Sequence, residues 1–304
     1  MQQETDVIGT EHWTNKGNIK LFLWEKFIGD PDQAIRTIIF VHGSSMASQP
    51  TFDLHVKCRP FSSVMNYFAL KGFDAWCVDM EGYGRSDKDR DDNFNISNGA
   101  DDLNAAVNYI KSMRGVDKVD LYGISSGALR ASLFAQQNPK DVGRLAMDAM
   151  VWTGEGSSTL ENRRKKLDEF KAKNRRSIDL DFVRSIFSRD HPGCADDKVV
   201  EAFAEAICAL DGSMPNGTYV DMCENLPLID PTKLTMPCLI MRGQWDGIAS
   251  MDDLLKFFNL IPNPDKQFKV MPGISHASFQ QINYLMAYQV LYSFLTQPEA
   301  IYTG

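Results

Sequence analysis

The chain has 304 residues, 43% of them hydrophobic and 24% charged, the profile of a soluble globular protein built as one large domain with an insertion or as two smaller domains. A formal net charge of -8 argues against general affinity for nucleic acid or an anionic membrane surface, since both need a basic face. No apolar run nears the ~20 residues of a membrane span, and the N-terminal stretch lacks the basic and apolar regions of a secretory signal. The six cysteines, Cys58, Cys77, Cys194, Cys208, Cys223 and Cys238, are scattered without C-x-x-C pairs; this fits small core residues in a reducing compartment, so a cytoplasmic location is expected.

In chain order, residues 19–27 read as a strand and 30–33 as a turn. Residues 36–41, RTIIFV, form a β-branched apolar run too short for a helix and suited to a strand buried on both faces. This run leads into His42-Gly43-Ser44-Ser45, and loops at the C-terminal ends of parallel strands are where ligands bind in open α/β sheets. A helix over 61–70 and a strand over 73–79 precede the glycine-rich stretch Asp79 to Ser86. That stretch lacks the Lys-Ser/Thr of a P-loop and the spacing of a dinucleotide site, so it reads as a tight structural turn. Leu103, Ala106, Val107 and Ile110 make a helical stripe within 98–113.

Residues 119–130, VDLYGISSGALR, combine an apolar strand, the pentapeptide Gly123-Ile124-Ser125-Ser126-Gly127, and an Ala/Leu-rich helix, the context of a G-x-S-x-G nucleophile elbow. A sharp strand-to-helix turn lifts the serine clear of its own backbone and leaves the Ser126 amide at a helix N-terminus, free to donate to an oxyanion. A strand over 144–152 follows. Strands alternating with helices at this cadence predict a mostly parallel sheet covered on both faces.

From 153 to 231 the strand cadence stops. Basic residues crowd Arg163, Arg164, Lys165, Lys166, Lys171, Lys173, Arg175 and Arg176, and helical stretches are expected over 178–187 and 198–210. This segment reads as a helical insertion able to lie over the elbow. Its basic run is either a solvated helix face or a device that steers an anionic substrate. The expected division is therefore core 1–152, cap 153–231 and core 232–304.

The strand 237–242 ends in Gly243-Gln244-Trp245-Asp246-Gly247, a helix covers 251–260, and the strand 267–271 ends in Pro272-Gly273-Ile274-Ser275-His276 before a closing helix over 279–295. A serine hydroxyl needs a base beside it and an orienting acid behind that base. His276 is the base candidate and Asp246 the acid. All three residues follow strand ends and so share one edge of a parallel sheet.

With the oxyanion loop Phe40-Val41-His42-Gly43-Ser44, the turn Asp79, Gly82, Gly84, Ser86, the elbow at Ser125 and the loops of Asp246 and His276 in this order, nearly the whole chain resembles the α/β-hydrolase superfamily, as a capped member with a serine nucleophile. The resemblance implies the fold, a mostly parallel β-sheet flanked by helices with an inserted helical cap. It implies Ser125 as nucleophile, His276 as general base and then acid, Asp246 as the orienting acid, and an oxyanion hole of the Ser44 and Ser126 amides, with Ser45 the lesser candidate. It also makes His42 a loop organiser. Epoxide hydrolases and haloalkane dehalogenases of this fold carry aspartate at the elbow, so the serine argues against both.

His12, His55 and His191 lack strand-end context and are expected to be structural or exposed. Glu155 is the rival acid, Ser126 the rival nucleophile, and Ser45 and Trp152 are candidate pocket residues, with core packing the default for Trp152. The expected activity is hydrolysis of a carboxylic ester or related acyl bond of a small molecule, without metal or organic cofactor. The same triad acting on a C–C bond, amide, lactone or thioester, and a ligand receptor on a hydrolase scaffold, stay open as alternatives, as does a homodimer.

Overall fold

In the computed structural model, which describes residues 3–57 and 59–301, the strands run in chain order β1 (Ile8–Lys16), β2 (Ile19–Phe27), β3 (Thr37–Val41), β4 (Asp74–Val78), β5 (Val119–Ile124), β6 (Val142–Asp148), β7 (Arg175–Ser177), β8 (Ser213–Pro215), β9 (Cys238–Gly243) and β10 (Lys266–Met271). Eight of them form one sheet in the order β1-β2-β4-β3-β5-β6-β9-β10. β1 and β2 are antiparallel, β2 joins β4 antiparallel, and every later neighbour is parallel. The central strands β3, β4 and β5 are buried at every position, which explains why, apart from Thr37, Asp74 and Asp120 near their starts, their residues are mostly apolar: helices cover both faces, leaving no polar side to alternate with.

The helices are α1 (Ser48–Phe52), α2 (Val64–Ala69), α3 (Ile96–Arg114), α4 (Ser126–Gln137), α5 (Ser158–Arg164), α6 (Leu167–Ala172), α7 (Leu180–Ser188), α8 (Asp197–Leu210), α9 (Gly217–Val220), α10 (Met251–Leu260) and α11 (Tyr284–Leu295). α3 starts where the Asn95 side chain accepts from the Asn98 amide, and it stops at Gly115 in the left-handed region, a cap and a terminator that its sequence carries.

Differences from the sequence expectations have local causes. β1 was not expected, because its residues are exposed or half-buried along most of their length and an edge strand shows no apolar run. The expected strand over 144–152 ends at Asp148, and the apolar residues after it enter a loop. The closing helix begins at Tyr284, behind a short 3-10 turn over Ser278–Gln280. Cys77, Cys194, Cys223 and Cys238 are free and buried and Cys208 is half-buried; Cys58 lies outside the described residues.

The residues between β6 and β9 carry α5 to α9 and the antiparallel ribbon β7–β8, a strand pair that the helical periodicity did not announce. On one side they bond to the stretch after β4: the Arg175 guanidinium donates to Gly82 O at 3.0 Å, the Gly84 amide to Asp211 at 2.9 Å and the Ile96 amide to Asp221 at 2.9 Å. On the other, Asp253 accepts from the amides of Trp152 and Thr153, and the Ile282 amide donates to Cys194 O at 2.8 Å. These bonds tie the segment to the stretches that follow β4, β9 and β10 in the chain.

Among the described residues, no helix is long and apolar enough to cross a membrane. A cavity of about 1230 Å³ opens at the opposite edge of the sheet, where the strands begin, lined by Arg36, Asp120, Arg144 and Lys266 among others.

Candidate active site

Ser125 joins β5 to α4 with φ 58° and ψ -124°, a conformation that costs a non-glycine residue energy and is held by its surroundings. The holding bonds are the Ser125 amide to Asp148 O at 2.9 Å and the Ala128 amide to Ser125 O at 3.0 Å. Gly123 and Gly127 make the turn fit. A Cβ on Gly123 would run into the Gly127 backbone, and one on Gly127 into the carbonyl oxygens of Val41 and His42. The two glycines of the motif thus set how closely α4 approaches β5 and β3.

β9 and β10 deliver the partners. The Ser125 hydroxyl donates to His276 Nε2 at 3.0 Å, and His276 Nδ1 donates to Asp246 Oδ1 at 2.9 Å. The Ile248 amide also donates to Asp246 Oδ1, at 3.0 Å. All three side chains are buried, with Ser125 7% exposed and His276 and Asp246 3% each. Low exposure strengthens such bonds and fixes the tautomer, leaving Nε2 as the acceptor.

The loop after β3 runs against the elbow, with the Gly43 Cβ position 3.3 Å from Ser125 Cβ. Ser44 donates its hydroxyl to Ser126 Oγ at 2.7 Å. Among the described residues, neither the Ser44 amide nor the Ser126 amide has a backbone partner outside a helix. Ser45 turns the other way: its hydroxyl lies 3.1 Å from the Tyr219 hydroxyl and accepts from Arg176 at 2.8 Å. His42 lies beneath the loop, donating from Nδ1 to Gly43 O and accepting at Nε2 from the Met80 amide. Burial, reinforced by Arg130, lowers its pKa to about 3, so it stays neutral and ties two loops together.

The turn after β4 is structural. Asp79 accepts from the Ser48 amide and hydroxyl and from the Arg85 amide, while Ser86 bridges Asp79 O and the Phe22 amide.

The remaining candidates sit elsewhere. Trp152 packs edge-on against Phe257 and donates its indole N–H to Ile229 O at 3.0 Å, which is its core-packing role. Ser126 is spent on Ser44. Glu155 is exposed and pairs with Lys256 at 3.1 Å. The acid at the end of the preceding strand is Asp148, because β6 stops there and not at Trp152. Asp148 accepts from the Tyr122 hydroxyl at 2.6 Å and the Ser278 hydroxyl at 3.0 Å, leaving His276 to Asp246. His12 bonds Tyr109 and Glu25, His55 is exposed beside Asp53, and His191 stacks on Trp245.

Two neighbours of the site had no motif to reveal them. Asp190, from the segment between β6 and β9, brings a carboxylate oxygen into a group with Asp246 and His276 whose ligand atoms all lie within 4.8 Å of one another. This is not an open metal site, because both His276 nitrogens are engaged and Arg189 holds Asp190 at 2.8 Å. The Asp190 carboxyl titrates at about 2: burial raises it, and the Arg189 guanidinium, with His276 nearby, more than offsets that. Tyr219 is the other neighbour, with Arg163 and Arg176 over its ring. Both arginines belong to the basic run, whereas Tyr219 carries no sequence signal.

Structural comparison finds the same fold in a thermophilic esterase from Thermogutta terrifontis with malate bound (TM-score 0.67, 18% identity, covering 94% of this chain and 98% of that one). It also finds E-2-(acetamidomethylene)succinate hydrolase (0.67, 19%, 95% and 99%) and an epoxide hydrolase from Vigna radiata (0.70, 13%, 98% and 100%). No curated protein matches the chain by sequence. The family model of the serine aminopeptidases, S33, matches residues 33–282, and the chain, an α/β-hydrolase in its sheet order and connections, belongs to that family.

Proposed function

We propose that this α/β-hydrolase is a serine hydrolase that cleaves a carboxylic ester of a small molecule through an acyl-enzyme. The observation that carries the reading is the unbroken hydrogen-bonded chain from Ser125 through His276 to Asp246, at 3.0 and 2.9 Å. His276 Nε2 takes the Ser125 proton as Oγ attacks the carbonyl carbon, and Asp246 stabilises the imidazolium that forms. The negative charge gathering on the carbonyl oxygen is met by the Ser44 and Ser126 amides, which need no reorganisation at that moment. His276 then protonates the departing alkoxide. Water, deprotonated by the same ring, attacks the acyl carbon and returns Ser125.

Residues 153–231 act in this reading as the cap that keeps bulk water from the acyl-enzyme and shapes the substrate side. An esterase among the structural neighbours supports the ester as substrate. An aminopeptidase activity, which the family's name describes, fits less well, because a substrate ammonium would meet the guanidinium groups of Arg163 and Arg176 beside the oxyanion loop.

The test is Ser125→Ala. It is expected to abolish turnover of aryl esters and covalent labelling by a fluorophosphonate while the far-UV circular dichroism stays native. Retained turnover or labelling in that variant would overturn the assignment. A panel of alkyl esters, amides, lactones and diones then ranks the scissile bond.

A further inference from the structure

We propose that Arg163, Arg176 and Tyr219 form an anion-binding subsite beside the oxyanion loop, so that the substrate of this hydrolase carries a carboxylate or phosphate group apart from its scissile bond. The proposal names a substrate class for the serine-hydrolase site and rests on that reading for its catalytic half only.

Three observations carry it. The first is position. Arg176 Nη2 donates to Ser44 O at 3.0 Å and to Ser45 Oγ at 2.8 Å, Ser45 meets the Tyr219 hydroxyl at 3.1 Å, and Ser44 is bonded to Ser126 next to the nucleophile. The cluster is therefore one residue removed from the elbow.

The second is uncompensated charge. The Arg163 and Arg176 guanidinium carbons lie 4.2 and 3.8 Å from the Tyr219 ring centroid, yet among the described residues neither has a carboxylate within 4.0 Å. The neighbouring Arg184 and Arg189 are both paired with acids. Arg163 Nη1 and Arg176 Nε are buried without a hydrogen-bond acceptor; the Nη atoms of Arg176 are taken up by Pro215 O, Asn216 Oδ1, Ser44 O and Ser45 Oγ, so Arg163 is the more open of the two. Burial, together with Arg189 and Arg176, lowers the Arg163 pKa. Burying a cation without a counter-ion is costly, and a planar guanidinium with free donors is the geometry that receives carboxylate or phosphate oxygens.

The third is Tyr219 itself. Burial raises its hydroxyl, and Arg163 and Arg176 more than offset this, bringing it to about 7. A phenol drawn down in this way is what two guanidinium groups lying over its ring without a carboxylate partner produce.

The experiment compares 4-nitrophenyl acetate with mono-4-nitrophenyl succinate on the wild-type enzyme, Arg163→Gln and Arg163→Lys. In parallel, succinate and inorganic phosphate are titrated calorimetrically into Ser125→Ala with and without Arg163→Gln. The succinate ester should be preferred by about tenfold or more in kcat/KM, the worth of one charge-assisted hydrogen bond. Arg163→Gln should erase that ratio and Arg163→Lys keep most of it; a purely structural arginine would lower both esters alike and leave the ratio standing. Succinate should bind Ser125→Ala and weaken by a similar factor when Arg163 is lost. Tighter binding of phosphate than of succinate assigns the subsite to a phosphate-bearing substrate.

Equal kcat/KM for both esters, or binding of neither anion, overturns the proposal, as does anion binding unaffected by Arg163→Gln. Absence of ester turnover with Arg163-dependent anion binding intact would instead remove the ester reading and leave the subsite.

Discussion

For the acid of the proposed triad, the choice between Asp246 and Glu155 comes down to single contacts. Asp246 accepts from His276 Nδ1 and is buried, whereas Glu155 is exposed and bound to Lys256. Asp246→Asn keeps the shape but offers the wrong proton arrangement to the ring. It is expected to lower kcat by roughly 10⁴-fold, the cost of the wrong tautomer in a serine triad, while Glu155→Gln leaves the rate within about twofold, as a surface change far from the ring should. Steady-state kinetics on an aryl ester measures both, and a large loss from Glu155→Gln would move the acid.

At the scale of elements, the site is a consequence of how closely α4 lies on the sheet. Gly127→Ala places a methyl against the carbonyl oxygens of Val41 and His42, at the point where β3 leaves for the oxyanion loop. Neither backbone can yield without moving α4 or that loop, so the variant should lose about 1–3 kcal/mol of stability, the usual cost of overpacking. Its kcat should fall together with its urea midpoint. A variant with native midpoint and native rate would show that the motif's second glycine is dispensable.

The same element scale explains what the sequence disclosed. β3, β4 and β5 were legible because full burial writes itself as short, mostly apolar runs, broken only by Thr37, Asp74 and Asp120 near their starts. The loops of Ser125 and Asp246 were legible because each follows a largely buried strand, and that of His276 because it follows the short alternating strand β10. β1 was hidden by its exposed edge, and the ribbon β7–β8 by its shortness, three residues per strand. Asp190 and Tyr219 reach the site through tertiary packing of the segment between β6 and β9, for which local periodicity carries no trace. Arg163 and Arg176 showed only as members of a charge run, and the run alone does not distinguish a guanidinium facing solvent from one lying on a buried ring.

For the molecule as a whole, the burial that assembles the site also encloses carboxyl groups that resist ionisation. Asp148 is fully buried behind the elbow; burial, opposed by hydrogen bonds from Tyr122 and Ser278 and assisted by the charge of Asp246, raises its pKa to about 7. An unfolded aspartate titrates near ~3.9. Between these values the native state holds a proton that the unfolded chain has released, so this group makes stability fall as pH rises through that window and level off above about 7. Asp190 acts in the opposite sense: with a folded pKa of about 2 it contributes stability that is present above the unfolded value and lost as pH falls toward 2. The two effects occupy different ranges, but buried Asp74, also raised to about 7, titrates in the same window as Asp148, so it is the substitution that isolates Asp148. Asp148→Asn keeps an acceptor for one hydroxyl and offers an N–H to the other, and it removes the ionisable group. Between about pH 5 and 7 the variant's unfolding free energy should therefore fall less steeply than that of the wild type, by as much as ~1.4 kcal/mol per pH unit, the slope of one linked proton. Urea denaturation across that range measures both slopes, and parallel curves would mean that Asp148 is already ionised in the folded protein.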